Sequence, residues 1–512
     1  MQFARRFWQK FSTLIVAILC SFDRVIFKGY MFFGDDDRLN GYVDRTLKMR
    51  RVDFIPWLRK QSQRLVDHAR QLAQQHGRPY LYRQGRFRKE TLIHKIIRED
   101  RLSEGLVAVL CVQETCRTVK LKWADRRPRL VFARRPHRVL YFYWLDPSFG
   151  LIYVRLQTWF PYVIQVYVNG HDWLARQMER KGLGFVQRDN AFLALDDPKG
   201  AQKLAHRFAR LRWVRILDRW ARQVNPLIRG RGPFARHRYW WVTEQAEYAT
   251  DVLFHSPQAL RGLYPRLLDH AAVNFSASDI LTFLGRKLHG NFQGEVLTSL
   301  QKKRWPGARI KHRMKENWLK MYDKFGILLR VETVINQPEE FRVYRLCRRQ
   351  GRQQWAWCPM RKGVANLPSY QKVSLAANQR YLEALSVVGD PAPAYRRVAE
   401  LARSKSVRGR SYAGFNPACR DDVRLFQAVL SGDHLLRGFR NADIRRLLYG
   451  EHPDAHERQR QANRVTRLLK RLHVRGLIAK IPRTRRWRVS PKGHKLLGTI
   501  LQLHYHGLPQ AA

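Results

Sequence analysis

Acidic residues are scarce in this sequence. Only 41 of its 512 residues are Asp or Glu, against 97 Lys and Arg, which gives a formal net charge of +56. A compact chain with this surplus repels itself, so we expect it to bind a polyanion that is in large supply. Nucleic acid meets this need, because each phosphate that Lys or Arg neutralises also releases a counterion. Arginine outnumbers lysine, and its planar guanidinium suits phosphate and guanine edges, whereas a lipid surface would accept lysine equally well.

Cysteines and long apolar runs are also few. The six cysteines form no CxxC pair and no zinc-finger spacing, so we expect reduced thiols in a cytosolic protein and no metal site among them. The apolar stretch 12–20 is too short for a signal peptide core with a cleavage site and predicts a buried strand. No run is long enough to span a bilayer, so we expect no membrane partner and a cytoplasmic, nucleoid-associated or ribonucleoprotein-associated location.

Apolar residues are plentiful enough to exclude a disordered basic tail. The chain is 45% hydrophobic and 12% aromatic, which can fill several cores. We predict a multidomain α/β or α+β fold, with two mixed α/β domains followed by a C-terminal winged helix-turn-helix. The predicted parts are an N-terminal domain over 1–200, a basic amphipathic helix and linker over 201–235, a central domain over 236–390, a basic linker over 391–420 and a winged helix over 421–512.

Hydrophobic periodicity predicts the elements of the first two domains. In the first we expect strands over 25–27, 105–112, 139–144, 151–156 and 165–168, and helices over 54–75 and 173–180. In the central domain we expect a strand over 239–254, helical structure over 257–288 with Ser276 or Ser278 as a cap, and strands over 309–314, 318–322 and 327–335. Between them, 201–222 predicts one amphipathic helix whose basic face, including Arg207 and Arg215, follows phosphates or is simply solvated.

The C-terminal segment carries the most specific pattern. Helices are predicted over 423–430, from a cap at Asn441 to 448, and over 464–472, followed by two short strands around a basic turn at 482–486. This order resembles a MarR-like winged helix-turn-helix, which implies DNA binding by the last helix and by the wing. The resemblance assigns these contacts to Arg464, Thr466, Arg467, Lys470, Arg471, Arg483, Arg485 and Arg486. The alternative is a winged domain that contacts protein.

Carboxylates inside apolar strands are the candidates for catalysis. They are Asp23, Glu247, Asp251 and Glu332. Glu247 and Asp251 lie four residues apart, so a strand places both on one face. Carboxylates on adjacent strands can hold Mg²⁺ in a metal-dependent nuclease. Salt bridging to the abundant arginines is the structural alternative, and no cofactor is otherwise indicated.

A second enzymatic hypothesis rests on a tyrosine. The segment 320–332 faintly resembles rolling-circle replication initiators, which nick DNA through a tyrosine; Tyr322 and Tyr381 are the candidate nucleophiles. Those enzymes also carry a His-hydrophobe-His metal motif. Here the matching segment, His504-Tyr505-His506, lies in the C-terminal tail outside that domain.

Four further segments carry a separate resemblance, which covers most of the chain. They are Phe22-Asp23-Arg24-Val25, Asn169-Gly170-His171-Asp172-Trp173-Leu174, Glu247-Tyr248-Ala249-Thr250-Asp251 and Thr282-Phe283-Leu284-Gly285-Arg286-Lys287-Leu288. With them the chain resembles a family of uncharacterised bacterial proteins of about this length, which implies a bacterial or mobile-element origin and supplies no activity. The sequence thus predicts a nucleic-acid-binding protein that binds structured RNA, duplex DNA or both, with a metal-dependent nuclease or nickase as the alternative.

Overall fold

The computed structural model describes residues 4–506 except 33, 86, 231, 287–293, 302–307, 350, 389–398, 408, 418, 432–433 and 435–437. Its helices are, in chain order, α1 (Arg5–Phe11), α2 (Asp36–Gly41), α3 (Arg51–Gln75), α4 (Lys89–Glu99), α5 (Gly170–Glu179), α6 (Pro198–Ala205), α7 (Trp213–Val224), α8 (Pro257–Asn274), α9 (Ala277–Phe283), α10 (Leu367–Leu385), α11 (Arg420–Val429), α12 (Asn441–Tyr449), α13 (Ala455–Val474) and α14 (Pro491–His506). No described helix combines the length and the apolar content needed to cross a bilayer.

The strands make the fold mixed α/β, as the sequence predicts. They are β1 (Ile15–Tyr30), β2 (Tyr80–Arg83), β3 (Gly105–Ala124), β4 (Arg127–Asp146), β5 (Gly150–Gln157), β6 (Ile164–Asn169), β7 (Phe185–Arg188), β8 (Ala191–Leu195), β9 (Trp240–Phe254), β10 (Val296–Gln301), β11 (Arg309–Met314), β12 (Asn317–Lys324), β13 (Leu328–Ile335), β14 (Arg342–Arg349), β15 (Arg352–Pro359), β16 (Lys405–Val407), β17 (Arg410–Tyr412), β18 (Ile478–Lys480) and β19 (Trp487–Val489).

The chain forms two compact units, each built from segments distant in sequence. Unit 1 comprises 1–18, 250–333 and 373–512, and unit 2 comprises 19–249 and 334–372. The five consecutive segments expected from the sequence remain a prediction. In unit 2, strands distant in sequence are neighbours: β1 lies between β9 and β6 in the sheet.

Unit 2 is built on a mixed sheet with the strand order β9-β1-β6-β5-β4-β3-β2. Its hydrogen-bonded neighbours from β1 to β3 are antiparallel, and β2 pairs parallel with β3. Helix α3 packs on β3 and β4. Residues 106–112 of β3 are buried on both faces, as their continuous apolar run predicts, because the sheet is covered on each side there.

Unit 1 contains β10, β11, β12 and β13 in that order, with α8 and α9 packed on β10 to β12. The hairpin between β12 and β13 turns at Phe325 and Gly326, both with positive φ, and the Gly326 N–H donates to Asp323 Oδ1 at 2.9 Å. The turn joins β12 and β13, which confirm the strands predicted over 318–322 and 327–335. A separate apolar core joins α11, α12, α13, α14 and the β18–β19 hairpin.

One predicted helix is wrong. The segment 201–222 was expected to form a single helix, but α6 ends at Ala205, a 3₁₀ turn covers Phe208–Arg210, and α7 begins at Trp213. The break lets Phe208 and Trp213 both be buried, with Trp213 Nε1 donating to the Phe208 carbonyl at 3.0 Å. Packing of the aromatic rings therefore outweighs the local helical pattern.

Smaller differences occur at helix ends and in the second linker. The predicted helical segment 257–288, whose last two residues lie outside the described residues, breaks at Phe275, and Ser276, not Ser278, caps the following helix α9. Asn441 does not act as a cap: α12 already includes it, and its side-chain amide donates to Thr466 Oγ1 at 2.8 Å. Within the stretch 403–414, expected to be a flexible linker, β16 and β17 pair as a short hairpin.

Candidate carboxylate site and basic surfaces

Asp23 lies near the middle of β1 in unit 2 and is buried. The Asn190 side-chain amide donates to both of its carboxylate oxygens, at 2.6 and 2.7 Å. The buried ring of His171 places Nδ1 3.5 Å from Asp23 Oδ1, and its Nε2 lies 3.2 Å from Ser21 Oγ. Asp23 thus accepts hydrogen bonds from the Asn190 amide, and the His171 ring lies beside it.

The Asn169-Gly170-His171-Asp172 segment explains how His171 reaches Asp23. Asn169 Oδ1 accepts from the backbone N–H groups of His171 and Asp172, so this side chain begins α5. Gly170 lies against β1, where a Cβ atom would come within 2.2 Å of the Phe22 carbonyl oxygen. The close approach requires glycine and brings two of the segments singled out in the sequence together.

Glu247 supplies a second buried carboxylate in unit 2. It lies on β9, the neighbour of β1 in the sheet. One of its carboxylate oxygens lies within 4.8 Å of one from Asp23, and Gln245 Nε2 donates to Glu247 Oε1 at 2.7 Å. Two buried carboxylates this close repel when both are ionised, so a bound cation or a shared proton stabilises them. Carboxylate oxygens are the ligands that Mg²⁺ prefers.

Asp251, the other predicted carboxylate of β9, has a different partner. In unit 1 its two oxygens accept from Arg330 Nε and Nη2, each at 2.6 Å, and both side chains are buried. This bidentate geometry is typical of a structural ion pair. For Asp251, the structure therefore supports the salt-bridge alternative that the sequence left open.

Glu332 and Tyr322 also belong to unit 1. Lys320 Nζ donates to Glu332 Oε2 at 3.1 Å, and the Tyr322 hydroxyl lies 3.4 Å from the same oxygen. Lys320 and Glu332 are both nearly inaccessible to solvent. Glu332 is thus charge-matched by a lysine, and the Tyr322 hydroxyl is close to a carboxylate that can accept its proton.

Tyr381 occupies the core of unit 1. Its hydroxyl lies 2.9 Å from His312 Nε2, and Thr298 Oγ1 lies 2.9 Å from His312 Nδ1. Burial lowers the pKa of His312 to about 3 and raises the pKa of Tyr381. A fully buried tyrosine has no access to a DNA phosphate, so this contact is structural.

The predicted recognition residues lie on α13. Val465, Leu469 and Leu472 face the core of the C-terminal part, while Arg464, Arg467 and Lys470 are exposed. Among the described residues, none of these three cations forms an ion pair. Thr466 is exposed, but its hydroxyl donates to the Ala462 carbonyl at 2.9 Å.

Two predicted contacts are instead engaged within the protein. Arg471 donates to the carbonyls of Ala413 and Gly414, and its guanidinium lies 4.1 Å from the centre of the Phe415 ring. Arg486 Nη1 donates to the Gly438 carbonyl at 3.0 Å. Arg483 and Arg485 of the same turn are exposed.

The remaining predicted contacts lie in unit 2. Arg207 and Arg215 are both exposed, but the 3₁₀ turn separates them, so they do not share one helical face. Exposed arginines also lie on α7 itself, at Arg219 and Arg222. The basic surface of this region is therefore two short stretches instead of one continuous stripe.

His171 and Asn190 are the site residues that the sequence analysis missed as partners of Asp23. The signal for His171 was present, because an Asn-Gly pair followed by His and Asp directly before a helix predicts a capped and closely packed turn. Asn190 had no comparable signal, because it lies in the turn between the short strands β7 and β8.

Comparison of the chain with protein-family models, with curated protein sequences and with solved structures finds no significant match.

Proposed function

We propose that this protein binds nucleic acid, as part of a large RNA-bound or DNA-bound assembly, and that its C-terminal part binds duplex DNA. The observation that carries the proposal is the exposed set of cations on α13 in a chain with a net charge of +56. Exposed cations without carboxylate partners are free to neutralise phosphates. Such clustering on one helix is the usual electrostatic footprint of nucleic-acid binding.

The order of elements supports a winged helix-turn-helix. Helices α11, α12 and α13 precede the β18–β19 hairpin, and Phe439 pairs with Trp487 to add a third short strand segment beside it. In that fold the second helix of the pair enters the major groove and the hairpin contacts the backbone. Arg464, Arg467 and Lys470 then face DNA, with Arg483 and Arg485 on the wing.

The first experiment identifies the nucleic acid. The full-length protein is purified at moderate salt, and the nucleic acid that accompanies it is sequenced. A discrete RNA species supports a ribonucleoprotein, and DNA fragments support a DNA-binding protein. Protein that carries no nucleic acid and binds neither structured RNA nor duplex DNA at low salt contradicts the proposal.

The recognition helix is tested by the double variant Arg467→Ala/Lys470→Ala. Each lost phosphate contact reduces the slope of log affinity against log salt concentration by about 0.9, so we expect a shallower slope and weaker duplex binding. Lys95→Ala is the matched control, because Lys95 is an exposed helical cation that is already paired with Glu99 at 3.6 Å. Equal affinities for the wild type and the double variant contradict the assignment of α13.

The second candidate function is a Mg²⁺-dependent nuclease, and the adjacent buried carboxylates of Asp23 and Glu247 favour it. A bound metal ion there would lower the pKa of a water molecule and stabilise charge on a phosphate. This site requires Asp23 and Glu247 as ligands, with His171 positioning Asp23.

The nuclease hypothesis is tested by incubating the protein with DNA and RNA, with and without Mg²⁺ or Mn²⁺. We expect divalent-dependent cutting that Asp23→Asn and Glu247→Gln abolish. Glu244→Gln is the matched control, since Glu244 lies on the same strand and pairs with Lys28 at 3.2 Å. Cutting that survives both site variants contradicts this site.

Two further variants separate the other sequence-based hypotheses. Glu332→Gln asks whether this carboxylate contributes to cutting, and Tyr322→Phe asks whether a tyrosine is the nucleophile. A nickase would form a covalent DNA adduct that Tyr322→Phe prevents. The absence of any adduct in the wild type rules that chemistry out.

A further inference from the structure

The β14–β15 hairpin of unit 2 exposes an unusual set of large side chains. Tyr344, Trp355 and Trp357 are 57%, 61% and 59% exposed, and Leu346 beside them is also exposed. In the strand register Tyr344 is opposite Trp357, and Leu346 is opposite Trp355. Because side chains alternate along a strand, all four project from one face of the hairpin, here called the aromatic face.

The opposite face of the hairpin packs on the protein at one end. Val343 and Cys358 are cross-strand partners that point the other way, and both are buried. The hairpin is thus anchored through one side. Its rings form a surface of their own: the ring centroids of Tyr344 and Trp355 lie 5.7 Å apart with planes 25° from parallel, and Trp357 lies 5.8 Å from Tyr344.

The charges of the hairpin itself are all of one sign. Between positions 341 and 363 the sequence has seven Arg and Lys residues and no Asp or Glu. Arg342 and Arg348 donate to backbone carbonyls of the hairpin, at 3.4 and 3.2 Å, and no described carboxylate forms an ion pair with either. These contacts fix the side chains beside the rings and leave their charge uncompensated.

We infer that the aromatic face binds single-stranded nucleic acid by stacking unpaired bases on Tyr344, Trp355 and Trp357, while the flanking arginines contact the phosphates. This inference rests on the proposed nucleic-acid binding and names one class of ligand for it. Every base has a flat π face that can stack on an aromatic ring, so the binding does not depend on sequence.

Charge complementarity selects this ligand over other occupants. Trp, Tyr and Arg are also enriched at protein interfaces, but a protein partner would have to be strongly acidic to approach a chain of this charge. An anionic lipid surface has the charge but has no flat rings to stack between these side chains. A single strand of nucleic acid has both features at once.

The test compares two ligands of equal charge. Binding of the full-length protein to a fluorescent oligothymidine of about 12 nucleotides is measured beside an abasic strand of the same length, in which every phosphate is kept and every base is missing. We expect the wild type to prefer oligothymidine, by about tenfold for each base that stacks. In the variant Tyr344→Ala/Trp355→Ala/Trp357→Ala this preference disappears, while affinity for the abasic strand is kept.

Two control variants separate stacking from general disruption. Trp355→Phe/Trp357→Phe retains flat rings and should keep most of the preference. Trp123→Ala removes a tryptophan of equal exposure, 61%, from β3 in the same unit and should leave the preference unchanged. Near-ultraviolet circular dichroism of each variant reports whether the fold is intact.

The outcomes distinguish this inference from the proposed function. A wild type that binds both strands equally overturns base stacking but leaves nucleic-acid binding standing. A wild type that binds neither strand, nor structured RNA or duplex DNA, overturns both. A preference for oligothymidine that persists in the triple variant, or tight binding to anionic phosphatidylserine vesicles with none to either strand, also overturns the inference.

Discussion

The buried carboxylates of the two units have different neighbours. In unit 1, Asp251 has a bidentate arginine and Glu332 has a lysine, each within 3.1 Å. In unit 2, Asp23 and Glu247 lie beside one another, with amide groups and the ring of His171 around them. A carboxylate paired with a cation is neutralised, whereas two adjacent carboxylates repel each other when both are ionised. Residue type alone does not reveal this difference, because all four occupy apolar strands.

The largest effect is expected at the ion pair of unit 1. Arg330→Met leaves the buried Asp251 carboxylate uncompensated, so we expect a loss of about 3–5 kcal/mol in the free energy of unfolding, measured by urea denaturation. The double variant Arg330→Met/Asp251→Leu should regain most of this loss, because it removes both charges. If the single variant is as stable as the wild type, the pair is not structural and the comparison fails.

A second prediction contrasts the pH responses of two buried groups. Burial lowers the pKa of His312 in unit 1 to about 3 and raises that of Asp172 in unit 2 to about 6. The pKa of histidine in an unfolded chain is about 6.5, so the unfolded chain binds more protons at His312 as the pH falls. The free energy of unfolding therefore decreases by about 2 kcal/mol between about pH 7 and 5. At Asp172 the folded state binds more protons than the unfolded chain as the pH falls. The same change from about pH 7 to 5 therefore increases the free energy of unfolding by about 1 kcal/mol.

Urea denaturation at several pH values checks both signs. His312→Gln removes the penalty, so its stability should fall less than that of the wild type on acidification. Asp172→Asn removes the gain, so its stability should fall more. Parallel profiles for the wild type and both variants contradict these assignments.

The smallest effect concerns a cation at the carboxylates of unit 2. A ligand at about ten times its dissociation constant stabilises the folded state by about 1.4 kcal/mol, so Mg²⁺ or Mn²⁺ should raise the Tm of the wild type. Asp23→Asn and Glu247→Gln should lose this shift, because each removes one of the two carboxylate ligands. A metal-induced shift that is unchanged in both variants contradicts a cation site here.

The sequence predicted regular elements well where local pattern and packing agree. The strand over 105–112 is predicted correctly because its continuous apolar run matches a strand that is buried on both faces. The prediction of a single helix over 201–222 is wrong because the chain breaks there to bury Phe208 and Trp213. Hydrophobic periodicity does not indicate such a break.

The candidate sites were predicted less well, because they depend on partners distant in sequence. Glu247 and Asp251 were expected to act together from their spacing, yet each has its own neighbours. The aromatic face of β14–β15 was missed entirely. Its signal is present in the sequence, since Tyr and Leu alternate with other residues before Gly351 and two tryptophans alternate after it, as in a two-faced hairpin.

The salt dependence of nucleic-acid binding by the full-length protein tests the central claim most directly. Protein stripped of nucleic acid is titrated with structured RNA and duplex DNA at several salt concentrations. The proposed function predicts tight binding at low salt and a linear fall of log affinity with log salt, steep enough for several phosphate contacts at about 0.9 per contact. Affinity that is absent at low salt, or that does not change with salt, would contradict it.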